Sequence, residues 1–192
     1  MKPAQHLLKI LPRLRAVRAY SSGTSRPLLH SDLEEASRTH GCQQVIWLYG
    51  PDEQVTEAGA MNLFALWKDK EGQLELITPP LDSGLILPGV TRRSLLELAR
   101  KWDICKVSER TFTMSDIVDA IKEKRMLQLF FTGTAVVMSP IGEIVYRPKD
   151  GNVVRLPIPT MTAEPKIMQR LFNAIVDIQY GRVEVPGWTV EC

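Results

Sequence analysis

Three short stretches of this 192-residue chain combine residue types and spacings that could do chemistry. The first is Val55-Thr56-Glu57-Ala58-Gly59, a lone carboxylate among small residues just before the apolar run Met61-Asn62-Leu63-Phe64. An acid on the rim of a strand usually faces water, so by itself Glu57 reads as a solvated strand-end glutamate. The second is Leu87-Pro88-Gly89-Val90-Thr91, a Pro-Gly turn feeding directly into a helical pattern. The free amides of Val90 and Thr91 would then lie at a helix start, where unpaired N–H groups and the positive dipole end receive anions. Thr91 can cap that helix or offer its hydroxyl to a phosphate. The third is Phe131-Thr132-Gly133-Thr134-Ala135, which is either a plain strand-to-strand turn or a place where backbone approaches a ligand closely.

Composition bounds what these stretches can serve. The chain is 44% hydrophobic and 24% charged, enough for a core. Its net charge of +2 is uneven, because residues 1–26 hold Lys2, Lys9, Arg13, Arg15, Arg18 and Arg26 and no acid. The remainder has 18 basic against 22 acidic residues, which is no nucleic-acid footprint. No apolar run reaches the roughly 18 residues of a membrane span. Cys42, Cys105 and Cys192 are odd in number and widely spaced, so neither a disulfide framework nor a metal site is expected. A reduced compartment suits them.

Residues 1–26 have the features of a mitochondrial transit peptide: Arg-rich, acid-free and amphipathic, with Leu7, Leu11, Leu14 and Val17 on one helical face. The expectation is a disordered or helical presequence and a mitochondrial matrix location, or a cytoplasmic one if the stretch is only a basic tail. Residues 27–40 read as a linker with a short helix, and residues 41–192 as the folded domain. There, Gln43–Gly50 reads as a buried strand closed by a turn. Residues 60–81 read as two strands joined at Lys68–Gln73, with alternation in Gln73-Leu74-Glu75-Leu76-Ile77. Leu95, Leu98, Ala99 and Trp102 mark the buried face of one helix, and Ile117, Ala120 and Ile121 that of another, capped by Thr113 or Ser115. Leu127–Pro148 reads as strand, turn and strand. Ile167, Leu171, Ala174, Ile175 and Ile178 mark a last helix that stops at Gly181. Hairpins mixed with helices predict an α+β (mixed α/β) fold, not a doubly wound parallel sheet.

In this order, "GCQQVIWLYGPDEQVTEAGAMNLF", "ELITPPLDSGLILPGVTRRSLLELA", "RTFTMSDIVDAI", "GTAVVMSPI" and "IQYGRVEVPGW" closely resemble the second half of the branched-chain amino acid aminotransferases, pyridoxal-phosphate enzymes of fold type IV. The resemblance runs from about Gly41 to Trp188 and implies the larger C-terminal domain of that D-amino acid aminotransferase-like fold. It implies pyridoxal 5'-phosphate as cofactor, with Glu57 facing the ring nitrogen. Val90 and Thr91 would hold the phosphate, and Thr134 would share in it. Thr134 and Ala135 would receive the substrate carboxylate, with Ala60 nearby. Branched-chain amino acids and 2-oxo acids are the implied substrates, and a homodimer the implied assembly. Arg92 and Arg93 are expected to be solvated.

The family's cofactor-bearing lysine precedes its "VTE" segment, yet the lysines before Glu57 are Lys2 and Lys9. No catalytic residue is therefore assigned, and the family's smaller N-terminal domain is expected to be absent. Val136 and Ser139 stand where mammalian relatives carry a redox Cys pair, and Gln128 replaces an acid. The expectations are a family member that is inactive alone, or a non-catalytic truncated form that docks on a full-length subunit. A third is a relative of the D-amino acid aminotransferases or aminodeoxychorismate lyases.

Overall fold

The computed structural model describes residues 17–22, 37–148 and 151–189. Nine strands form one sheet in the order β3-β2-β1-β8-β7-β4-β5-β6, with β9 added on β8. The strands are β1 (Val17–Ser22), β2 (Gln44–Tyr49), β3 (Gln54–Ala58), β4 (Met61–Lys68) and β5 (Leu74–Thr78), then β6 (Lys106–Glu109), β7 (Met126–Gly133), β8 (Val137–Arg147) and β9 (Val154–Pro157). Because β3 also pairs with β4, the sheet curls until β3 is bonded on both edges. Among the described residues, three helices of nine residues or more cover it: α1 (Val90–Trp102), α2 (Met114–Lys122) and α3 (Ile167–Gln179).

The core follows from the two-residue period of the central strands. On β4, Leu63, Ala65 and Trp67 join one cluster with Leu129 and Phe131 of β7, over which Met114, Ile117 and Ala120 of α2 pack. Phe64 and Leu66 point the other way, into a cluster with Phe130 and the inner faces of α1 and α3. Phe64 and Phe130 are cross-strand partners and their rings stack at 5.5 Å. Truncating either would cost about 3–5 kcal/mol. A strand packed on both faces reads as a continuous apolar run, which explains Leu63 to Trp67 of β4.

Several expectations are corrected here. Residues 17–22 form β1, paired parallel to both β2 and β8, where a helical or disordered presequence was expected. Residues 1–16 and 23–36 lie outside the described residues, so the helical face through Leu7, Leu11 and Leu14 does too. The alternation expected in β5 fails: Glu75 is fully buried like Leu76 and Ile77, since both faces of the strand are covered. The short, largely exposed strands β6 and β9 carry little apolar pattern for a periodicity to reveal. The helix cap is Thr113, not Ser115, in a reciprocal pair with Asp116.

Candidate active-site corner

The three stretches meet at one end of β3, β4 and β7. Glu57 lies on β3 directly across from Asn62 on β4, and Asn62 lies across from Thr132 on β7. The turn Gly59-Ala60 joins the first pair of strands, and residues 134–136 turn from β7 to β8 at the same end. Gly133 sits against Met61, so closely that an added methyl would lie 3.0 Å from Met61 Cγ. Ala60, Thr134 and Ala135 are all exposed in these turns. Val137, which ends the second turn, has φ +55°, a conformation that β-branched residues rarely adopt and that the tight reversal imposes.

Glu57 is half-buried, and its Oε1 accepts two hydrogen bonds: from Asn62 Nδ2 at 2.9 Å and from the Leu87 amide at 2.8 Å. Its Oε2 accepts none from a described residue. The carboxyl therefore turns toward the segment that leads into the Pro-Gly corner. Burial pushes its pKa above the ordinary value, and the Leu87 amide only partly opposes this. Such a group gains from a cation brought to it.

The start of α1 is bare. Gly89 is its N-cap and makes no side-chain bond, no acid occupies the first turn, and no described side chain accepts from the amides of Val90, Thr91 or Arg92. The other helices differ. Thr113 and Asp116 close α2, and Gln128 Oε1, buried in β7, accepts from Met168 at the start of α3. Thr91 is the second residue of α1 and nearly buried, so it does not cap the helix, while Val90 is 68% exposed. Thr132, beside Asn62, has a buried hydroxyl oxygen without a partner.

Arg92 overturns the expectation of a solvated side chain. It is 2% exposed, and its Nη2 donates to Pro79 O at 2.8 Å and to Glu109 at 2.7 Å. Arg100 holds the other oxygen of Glu109 at 2.6 Å. Burial alone would raise the Glu109 pKa, but the two guanidinium groups outweigh it and hold the carboxyl low. These pairs line a cleft of about 480 Å³ on the flank of α1, which reaches Pro88, Gly89 and Val90 but not Glu57. Arg92 and Arg100 are thus both engaged by Glu109, whereas the helix start has no side-chain partner among the described residues. Arg93 is exposed, as expected.

A family model described as amino-transferase class IV matches residues 28–144, more than half of the chain. The chain belongs to that family. It is 47% identical over 190 residues to the cytosolic branched-chain-amino-acid aminotransferase of Caenorhabditis elegans, covering 94% of this chain and 45% of that one. It is 46% identical over 149 residues to the mitochondrial enzyme of Rattus norvegicus, covering 78% and 36%. A solved branched-chain amino acid aminotransferase from Thermobaculum terrenum, in its PLP form, superposes with a TM-score of 0.64 at 22% identity, over 90% of this chain and 54% of that one. That likeness establishes the fold, a curled α+β sheet of fold type IV. The chain spans less than half the length of the two curated relatives.

The donor set of this member of the class-IV family fits pyridoxal phosphate. The uncapped amides of α1 suit a phosphate, and a carboxylate with one oxygen free suits a basic ring nitrogen. Sequence reasoning missed Asn62, which joins these two features. Its signal was a polar residue inside the otherwise apolar run of β4.

Proposed function

We propose that this chain forms the cofactor-facing part of a branched-chain amino acid aminotransferase, which passes an amino group from leucine, isoleucine or valine to 2-oxoglutarate. The observation that supports this best is the pairing of Glu57 Oε1 with the Leu87 amide, three residues before the bare helix start. Pyridoxal 5'-phosphate, when bound, supplies a protonated pyridine ring that draws electrons from the substrate α-carbon. Glu57 Oε2 keeps a proton on that ring nitrogen by opposite charge. The amides of Val90 and Thr91 and the Thr91 hydroxyl hold the phosphate, assisted by Thr134. The amides of Thr134 and Ala135 receive the substrate carboxylate, with Ala60 beside them.

Residues 41–192 would be the family's larger domain, acting as part of a homodimer. No described lysine lies before Glu57, and Lys2 and Lys9 are the lysines upstream of it in the sequence. This chain alone is therefore expected to hold pyridoxal phosphate more weakly than its full-length relatives and to give no turnover. Mixing it with leucine and 2-oxoglutarate should give no glutamate above background; sustained turnover would overturn that reading.

The relatives include cytosolic and mitochondrial enzymes, and no described helix is long and apolar enough to cross a membrane. We assign residues 1–26 to mitochondrial targeting. Cleavage within the Arg18–Ser22 segment would remove strand pairs from β8 and β2. N-terminal sequencing of the mature chain tests this.

A further inference from the structure

Asn62 is the polar interruption of β4. It is 5% exposed between Met61 and Leu63, and burying an amide there is costly unless its hydrogens are used. They are used. One goes from Nδ2 to Glu57 Oε1 at 2.9 Å, the other to the Leu87 carbonyl, also at 2.9 Å. The Leu87 amide returns to the same Glu57 oxygen at 2.8 Å. Carboxylate, side-chain amide and the backbone of one residue, Leu87, thus form a closed ring of hydrogen bonds. On its other side Asn62 Oδ1 faces Gly89, where an added Cβ would collide with it. Gly89 is the N-cap of α1. One side chain therefore touches both the acidic pole of the corner and the start of the anion-receiving helix.

We propose that Asn62 is the positioning residue that aims Glu57 and sets its spacing from the start of α1. The purpose of that spacing rests on the pyridoxal reading above; the hydrogen-bonded ring does not. A rigid ligand with a phosphate at one end and a basic nitrogen at the other needs its two protein poles at a fixed separation, and a tether shared by both supplies it. Other side chains meet the need less well. Aspartate has the same shape but places a second carboxylate against Glu57 and donates nothing. Serine has one hydrogen for two acceptors. Alanine leaves the Leu87 carbonyl and Glu57 each short of a donor.

The test uses the chain without cofactor, labelled with nitrogen-15. The Leu87 amide signal should titrate with the ionisation of Glu57, and Glu57→Gln should abolish that titration. In the unmodified chain the side-chain NH2 signals of Asn62 should move with the same midpoint as Leu87. In Asn62→Asp the Leu87 midpoint should rise by about one pH unit or more, and in Asn62→Ala by less, with a smaller amplitude, because a donor to the charged form is lost. A purely structural Asn62 would change the thermal midpoint and leave the titration where it was. Asn62 signals that ignore the Leu87 midpoint, or an unchanged midpoint in both variants, overturn the proposal. The pyridoxal reading fails separately, if ring-labelled pyridoxal phosphate responds identically to the unmodified chain and to Glu57→Gln.

Discussion

Two carboxylates on this sheet, Glu75 of β5 and Glu57 of β3, have opposite fates. Glu75 is fully buried and every lone pair has a claimant: Trp67 Nε1 at 2.7 Å, Ser108 Oγ at 2.6 Å and Arg110 Nη2 at 2.9 Å, with Lys106 at 3.6 Å. Burial pushes its pKa up, yet these donors win and hold it at about 2. Glu57 has two neutral donors on one oxygen and none on the other, and burial wins, raising its pKa. The first carboxylate is committed to holding β5, β6 and the Trp67 ring together. The second is arranged incompletely, as suits a group whose remaining partner arrives from outside the chain.

The contrast can be broken most forcefully at Glu75. Glu75→Ala leaves Trp67 Nε1 without its acceptor and Arg110 without its counter-charge, and should lower unfolding free energy by about 3 kcal/mol in urea titrations. Its pH dependence has a definite sign. A folded pKa of about 2 against an ordinary 4.5 means that Glu75 stabilises fully above pH 4.5 and loses that contribution as pH falls from there toward 2. The difference between the parent and Glu75→Gln should shrink over that window. Glu57 has the reverse sign, a cost at neutral pH that acid relieves.

A smaller effect is expected at Gly89. Gly89→Ala drives a methyl into Asn62 Oδ1 and should cost about 2 kcal/mol, read from the same titrations, while raising the Glu57 midpoint. A loss of stability without that rise would uncouple the helix start from the carboxylate. Thr91→Val removes only the hydroxyl of a buried side chain and should change stability by about 1 kcal/mol. Its binding of pyridoxal phosphate should fall about tenfold by fluorescence titration. Least of all, Glu57→Gln should leave stability within about 0.5 kcal/mol at pH 7, since no cation among the described residues is paired with that charge. A loss comparable to that at Glu75 would erase the distinction.

Much of the fold was legible because burial on one face or both leaves a period. The helices through Leu95, Ile117 and Leu171 and the β7–β8 hairpin follow it closely. What escaped lacked that pattern: β6 and β9 are largely exposed, and β1 lies in a basic stretch read as a leader. Polar residues that disobeyed their surroundings were the other failure. Glu75, Arg92 and Asn62 all look like surface residues in one dimension, and each is buried because partners distant in sequence satisfy it. At the site, types and order suggested Glu57, Val90, Thr91 and Thr134. Only the pairing register shows that Glu57, Asn62 and Thr132 form one row beneath the helix start.

The most direct measurement is the nitrogen-15 chemical shift of the ring in labelled pyridoxal 5'-phosphate bound to this chain and to Glu57→Gln at pH 8. A protonated pyridine nitrogen in the parent that loses its proton in the variant is the predicted result. The same shift in both, or a deprotonated ring in the parent, would contradict the assignment of Glu57.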